Sequence, residues 1–82
     1  MYGILTNDVS ERGFDGIKVK VLKKVPKGEM LIFSYEGTEE EFEVGAEVYL
    51  IEDLERAKGA TFTWNGIVAK DIASVEDVSL IH

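Results

Sequence analysis

Residues 36–55 carry nine carboxylates and no cation, and no other stretch of the chain offers as much chemistry. Residues 1–35 carry a net charge of +2 and residues 56–82 are neutral, so this stretch holds all of the excess negative charge behind the net −7. Carboxylates can bind metal ions, transfer protons or attract a basic partner. The acidic block consists of Glu36, Glu39, Glu40, Glu41, Glu43, Glu47, Glu52, Asp53 and Glu55.

We expect the acidic block to be a docking surface for a basic protein. A dense patch of one sign speeds association with a complementary surface. Carboxylates spaced several Å apart can take the place of nucleic-acid phosphates, so the partner's own ligand would be a nucleic acid. The plainer alternative is a solvated face that keeps a small protein soluble and protects a sheet edge. The first contacts would be Glu39, Glu40, Glu41, Glu43 and Glu47.

The residue types argue against catalysis and metal binding. The consecutive acids Glu39 to Glu41 would alternate between two sides of a strand, whereas calcium loops space their ligands around a glycine turn. The chain has no cysteine and its one histidine is His82, so thiol and serine–histidine chemistry lack their parts. The Gly13–Gly16 spacing is found in some nucleotide-clamping loops, but Asp15 inside it favours a plain loop. We predict no enzyme activity, no metal and no cofactor.

A row of lysines in the first half is a second candidate surface. It would contact a phosphate backbone, with Tyr2, Phe33 or Tyr35 stacking on bases. The plainer alternative is a wet strand face whose lysines pair loosely with acids across the sheet. The net charge of −7 makes direct nucleic-acid binding the minor hypothesis. The lysine row comprises Lys18, Lys20, Lys23, Lys24 and Lys27.

The composition is that of one globular domain spanning residues 1–82. The 82 residues are 45% hydrophobic and 30% charged, which is typical of a folded chain. Charged residues interrupt the first twenty positions, where a signal peptide has an apolar core. No uncharged run approaches the roughly 18 residues that span a bilayer. We therefore expect a cytoplasmic protein with no membrane segment.

Short runs of Val, Ile, Thr and aromatic residues between turn residues predict an all-β chain of six or seven strands. The alternation of apolar and cationic residues at 17–21 indicates a strand with one buried face. Residues 30–35 are apolar on both faces except for Ser34, which favours a strand in the middle of a sheet. We predict further strands at 41–44, 48–51, 61–64 and 67–70, turns at 25–28 and 36–39, a helical turn within 52–58, and a turn with a closing strand within 74–81.

The clearest local signal is Asn65-Gly66 between two alternating runs, which predicts a two-residue type I′ hairpin. This register places Trp64 opposite Ile67 and Phe62 opposite Ala69 on one face. The other face takes Thr61, Thr63, Val68 and Lys70. Since Phe62 and Ile67 share its face, Trp64 is expected in the core rather than in a ligand groove.

The pattern Phe42-x-x-Gly45-x-x-Val48-x-Leu50-Ile51 leads into a strand, and Glu76–Ile81 has the pattern of a turn and a final strand. In this layout residues 42–81 resemble SH3-like barrels, whose long strand starts in a similar way and which are closed by a similar turn and strand. The resemblance implies a small, partly open β-barrel. It does not extend to the proline-rich-peptide site, because the positions of its Pro, Asn and Tyr here hold Ser74, Glu76 and Asp77.

These features predict a small, acidic, non-enzymatic protein-binding module. Its size and charge fit a bacterial or phage accessory or inhibitor protein that docks on a basic, nucleic-acid-binding partner, such as a host transcription or DNA-processing enzyme. One alternative is a structural or assembly subunit that self-associates through a β-edge. The other is a small nucleic-acid-binding barrel that uses the lysine row.

Overall fold

The computed structural model describes residues 1–6, 16–53 and 60–81, and most of these residues lie in β-strands. This confirms the all-β prediction, while the SH3-like barrel stays a prediction. Nine strands occur in the described residues, more than the six or seven predicted, and the additional ones are β1 and β8, of four residues each. The strands are β1 (Tyr2–Leu5), β2 (Lys18–Val25), β3 (Met30–Tyr35), β4 (Thr38–Glu43), β5 (Val48–Asp53), β6 (Ala60–Trp64), β7 (Ile67–Ala69), β8 (Asp71–Ser74) and β9 (Val78–Ile81), with a 3₁₀ turn at Val75–Asp77 before β9.

The strands form two antiparallel sheets. One sheet has five strands in the order β8-β5-β2-β1-β9, and the other has four in the order β4-β3-β6-β7. β3 lies inside the four-stranded sheet, as its two apolar faces predict, and β4 forms an edge of that sheet. No helix in residues 1–6, 16–53 or 60–81 has the length and apolarity needed to cross a membrane.

Two apolar clusters form the core, and β5 supplies side chains to both. Tyr49 and Ile51 belong to the first cluster. Its other buried members are Ile17, which directly precedes β2, and residues of the five-stranded sheet. Leu50 points the other way into the second cluster, together with Leu31 of β3 and Phe62 of β6. Because successive strand residues face opposite sides, one strand can hold both clusters together.

A β-bulge at Leu22 changes the side to which β2 directs its residues. Val21 lies opposite Ile51, but the next pair joins Lys23 to Leu50, so one extra residue is accommodated on β2. Val21 therefore contributes to the first cluster, whereas Val25 contributes to the second. Two consecutive lysines after Leu22 hid this change of alternation in the sequence.

Two predicted turns each lie one residue away from the observed turn, in opposite directions. The N–H of Glu29 donates to the carbonyl of Pro26 at 3.3 Å, so the turn spans residues 26–29 rather than 25–28. Gly28 has a φ of 91° and occupies the third position, where a type II turn needs a positive φ. The turn predicted at 36–39 instead spans residues 35–38, because Glu36 and Gly37 form a two-residue loop between Tyr35 and Thr38.

The Asn65-Gly66 hairpin is confirmed with its predicted register. Asn65 and Gly66 have φ angles of 48° and 78°, as a type I′ turn requires. Trp64 pairs with Ile67, and Phe62 pairs with Ala69. The closing strand is also confirmed as β9. The predicted helical turn is wrong for Glu52 and Asp53, which belong to β5, and its remaining residues lie outside the described ones.

Candidate protein-docking surface

β4 presents its glutamates at the edge of the four-stranded sheet. Four of its six residues are glutamates, and all four are exposed. Residues directly opposite each other in an antiparallel pair share a face, so the register with β3 divides the glutamates between two faces. Glu40 lies opposite Phe33 on the inner face, next to Phe42. The pairs on the outer face are Ser34 with Glu39, Ile32 with Glu41 and Met30 with Glu43.

The outer face also exposes an apolar strip beside these glutamates. Met30 is 49% exposed, Ile32 39% and Val68 60%, and Thr63 of β6 lies between the last two. A cleft of about 390 Å³ on this face is lined in part by Met30, Ile32, Thr63 and Glu41. The carboxylates therefore border a surface that can bury apolar side chains. Met30 and Val68 lie thirty-eight positions apart in the chain, which is why the strip has no local sequence signal.

Aromatic rings fix β4 to the core on its inner face. The ring of Phe42 meets that of Phe62 edge-on at 5.9 Å, and Phe62 lies 5.1 Å from Phe33. Such arrangements add stabilisation beyond that of the buried area. Phe33 also lies parallel to Tyr35 at 6.3 Å, beside a cleft of about 310 Å³ that Glu40 helps to line. The position of the edge strand is thus set by packing, not by its charges.

The remaining acids of the acidic block do not continue this surface. Glu36 lies in the turn before β4, and the carboxylate of Glu47 lies 3.6 Å from the ammonium of Lys24. Glu52 is half-buried in β5 and lies opposite Lys20 of β2, so both residues belong to the five-stranded sheet. Asp53 ends β5, and Glu55 lies outside the described residues. The structure thus gathers the β4 glutamates and disperses the rest of the block.

The lysine row is divided in the same way. Lys18 and Lys20 lie on one face of the five-stranded sheet, where the ammonium of Lys18 is 5.0 Å from the ring of Tyr2. The ammonium of Lys23 lies 4.6 Å from the ring of the half-buried Trp64, in a cation–π contact. Lys24 pairs with Glu47, and Lys27 is exposed in the turn after β2.

Asp71 is the buried charged residue that sequence reasoning did not identify. It is 5% exposed, and its Oδ1 accepts a hydrogen bond of 2.8 Å from the N–H of Ile72. No three carboxylate or imidazole groups are arranged to hold a metal ion within the described ranges. Comparison with protein-family models, with curated proteins and with solved structures finds no match to this chain.

Proposed function

We propose that this protein is a non-enzymatic binding module that docks β4 and its glutamates on a basic partner protein. One observation carries the proposal: four exposed glutamates lie on one six-residue edge strand, and none of them forms an ion pair with another described residue. Their charges therefore act together on whatever approaches the edge. A complementary basic surface gains both association rate and specificity from such a field.

The spacing of the outer glutamates supports a partner that itself binds nucleic acid. Alternate residues of an extended strand lie about 6.8 Å apart, so Glu39, Glu41 and Glu43 form a regular row of negative charges. A row of cations that accepts phosphates at intervals of several Å would also accept these carboxylates. On this proposal the protein is an accessory or inhibitor protein of bacterial or phage origin. Its partner is a host transcription or DNA-processing enzyme.

The apolar strip would supply affinity that charge alone does not. Ion pairs at an exposed rim contribute little to affinity, because water and salt screen them. Burial of apolar surface contributes roughly 25 cal/mol per Å², and Met30, Ile32 and Val68 offer such surface next to Glu41. The partner surface would accordingly combine cations with a few apolar side chains.

Charge reversal on β4 tests the proposal. The triple variant Glu39→Lys, Glu40→Lys and Glu41→Lys should no longer capture the basic partner from a lysate, and added salt should weaken capture by the unmodified protein. Single variants provide a matched pair, since Glu41→Lys should weaken capture whereas Glu76→Lys, at an exposed site between two strands of the five-stranded sheet, should not. Unchanged capture by the folded triple variant would overturn the proposal.

Competition with DNA tests the nature of the partner. If the glutamate row occupies a nucleic-acid channel, duplex or single-stranded DNA should release the captured partner at constant ionic strength. A non-binding polyanion of similar charge serves as the control for general screening. Release by neither, or by both equally, would contradict a partner with a nucleic-acid channel.

A second candidate function, direct nucleic-acid binding, is favoured by the cluster of Tyr2, Lys18 and Lys20. These residues share an exposed face of the five-stranded sheet, with an aromatic ring beside two cations. A mobility shift that is lost in a Lys18→Gln, Lys20→Gln variant would support this function. Absence of a shift at low salt would overturn direct nucleic-acid binding.

A further inference from the structure

We propose that β4 binds its partner by strand addition: an extended segment of the basic protein pairs antiparallel with the open edge of β4 and carries Lys or Arg at every second position. This inference rests on the proposed function and adds to it the mode of binding and the sequence pattern of the partner segment. The backbone of β4 supports it in addition to the side-chain charges.

The hydrogen-bond pattern shows which residues of β4 turn their backbone toward the open edge. The N–H of Val44 donates to the carbonyl of Glu29 at 2.9 Å, just beyond the pairing of β4 with β3. In an antiparallel ladder the residues that bond to a given neighbour alternate. Phe42, Glu40 and Thr38 therefore bond to β3, in agreement with the two-residue loop that closes at Tyr35 and Thr38. The backbone groups of the intervening residues, Glu39, Glu41 and Glu43, face away from β3.

The open backbone groups and the outer carboxylates thus belong to the same three residues. Among the described residues, β4 has a strand neighbour only on the side of β3. An added antiparallel strand would place a residue directly opposite each of Glu39, Glu41 and Glu43, with its side chain on the outer face. The Cα atoms of each such pair would lie about 5.5 Å apart. Cations at these alternate positions would meet a carboxylate at each hydrogen-bonded pair. Charge complementarity therefore selects the alternating basic pattern.

The same geometry disfavours a second copy of the protein as the occupant. Antiparallel pairing of two β4 strands about Glu41 would place Glu39 of one copy opposite Glu43 of the other. Every outer pair would then oppose two carboxylates, which is destabilising. Edge strands commonly use charge in this way to prevent self-pairing. Pairing of β4 with a second copy of itself is therefore disfavoured, whereas pairing of its open edge with a basic strand is favoured.

The proposal predicts a specific protection pattern when a probe peptide binds. The probe is a short synthetic peptide of alternating lysine and threonine, added to the full chain at low salt. Amide exchange measured by NMR should slow at least about tenfold at Glu39, Glu41 and Glu43. Exchange at Thr38, Glu40 and Phe42, whose amides already bond to β3, should change little. The alternation itself is the signature of a strand added to one edge.

Two N-methylated isomers of the probe provide the matched control. In the antiparallel arrangement the lysine amides point toward β4 and the threonine amides point away. Methylation of the lysine amides should abolish binding and protection, whereas methylation of the same number of threonine amides should preserve both. The two isomers have the same charge, mass and side chains, so screening and simple ion pairing cannot distinguish them.

Failure of this inference differs from failure of the proposed function. Equal binding of both isomers, with no alternating protection, would overturn strand addition while leaving docking by charge intact. If the unmethylated probe does not bind and the triple charge reversal does not alter partner capture, both proposals are overturned. Preserved chemical shifts in β5 and β9 of each variant would show that the fold is retained.

Discussion

At a residue with a positive φ, the type of side chain determines how much the backbone conformation costs in stability. Glu36 has a φ of 49° and Asn65 a φ of 48°, each as the first residue of a two-residue hairpin loop. Asparagine adopts this region readily, because its short polar side chain bonds to the local backbone. Glutamate has no such compensation, so the first loop retains a local cost that the second avoids.

Replacing Glu36 with asparagine should therefore stabilise the protein. We expect Glu36→Asn to raise the free energy of unfolding by about 0.5–1 kcal/mol, measured by urea denaturation. Glu36→Gln is the matched control, since it removes the same charge and adds the same amide but has no preference for positive φ. Equal stabilisation by both variants would attribute the effect to charge and contradict a backbone origin.

Gly3 is constrained by close packing and not by φ. A Cβ built at Gly3 would lie 2.6 Å from Cγ1 of Val78 and 3.2 Å from the carbonyl oxygen of Ser79. Val78 is buried on β9, which pairs directly with β1. The absence of a side chain at Gly3 therefore leaves the space that Cγ1 of Val78 occupies.

We expect Gly3→Ala to lower the free energy of unfolding by about 1–3 kcal/mol, because the core must shift to accommodate one methyl group. Gly45→Ala should have little effect, since a Cβ there meets no atom within 4 Å. Thermal unfolding followed by circular dichroism measures both. The double variant with Val78→Ala should be more stable than the sum of the single effects predicts, and strict additivity would contradict the contact.

At the scale of elements, a turn or strand could be predicted from the sequence where its own residues strongly favour that conformation. The hairpin at Asn65-Gly66 could be placed to the residue, since both turn positions favour positive φ. The turn at Glu36-Gly37 was misplaced because glutamate is rare there. β4 was recognised only at its end, around Phe42, because charged residues are depleted in strands. Its position at an edge depends on pairing between distant segments, which one sequence does not reveal.

The charge pattern of β4 predicts a designed pairing between two forms of this protein. The variant Glu39→Lys, Glu41→Lys and Glu43→Lys presents a basic edge with the alternation that strand addition needs. Alone, each form should stay monomeric, because like charges would oppose one another across β4. Mixed, they should form a one-to-one heterodimer at low salt, measured by analytical ultracentrifugation.

The control for this mixture moves one lysine to the inner face. A variant with Glu39→Lys, Glu40→Lys and Glu41→Lys has the same net charge, but its lysines do not all share the outer face. We expect it to associate more weakly with the unmodified protein. Equally strong association of both lysine variants would show that net charge, and not strand register, governs the contact.

At the scale of the whole molecule, β5 makes the two clusters depend on each other. Leu50 is fully buried in the second cluster, and its neighbour Ile51, 1% exposed, is buried in the first. Loss of either side chain loosens the strand that carries the other. The two sheets are therefore expected to unfold as one cooperative unit.

Adjacent substitutions in β5 test this cooperativity. We expect Leu50→Ala and Ile51→Ala each to lower the free energy of unfolding by about 2–5 kcal/mol. Trp64 packs against the second cluster, so its fluorescence reports on that cluster, while far-ultraviolet circular dichroism reports on all strands. The two probes should give coincident urea transitions for both variants. A transition of Ile51→Ala that Trp64 does not detect would show independent clusters.

The two-residue period of β4 has a consequence for how this surface can change over time. Thr38, Glu40 and Phe42 make the bonds to β3, whereas Glu39, Glu41 and Glu43 point their backbones outward and their side chains to solvent. Substitutions at the second set leave the ladder and the aromatic packing intact. Substitutions at alternate positions can therefore change the charge of this edge while the same fold is inherited, so that surface and folding evolve on separate residues of a single strand.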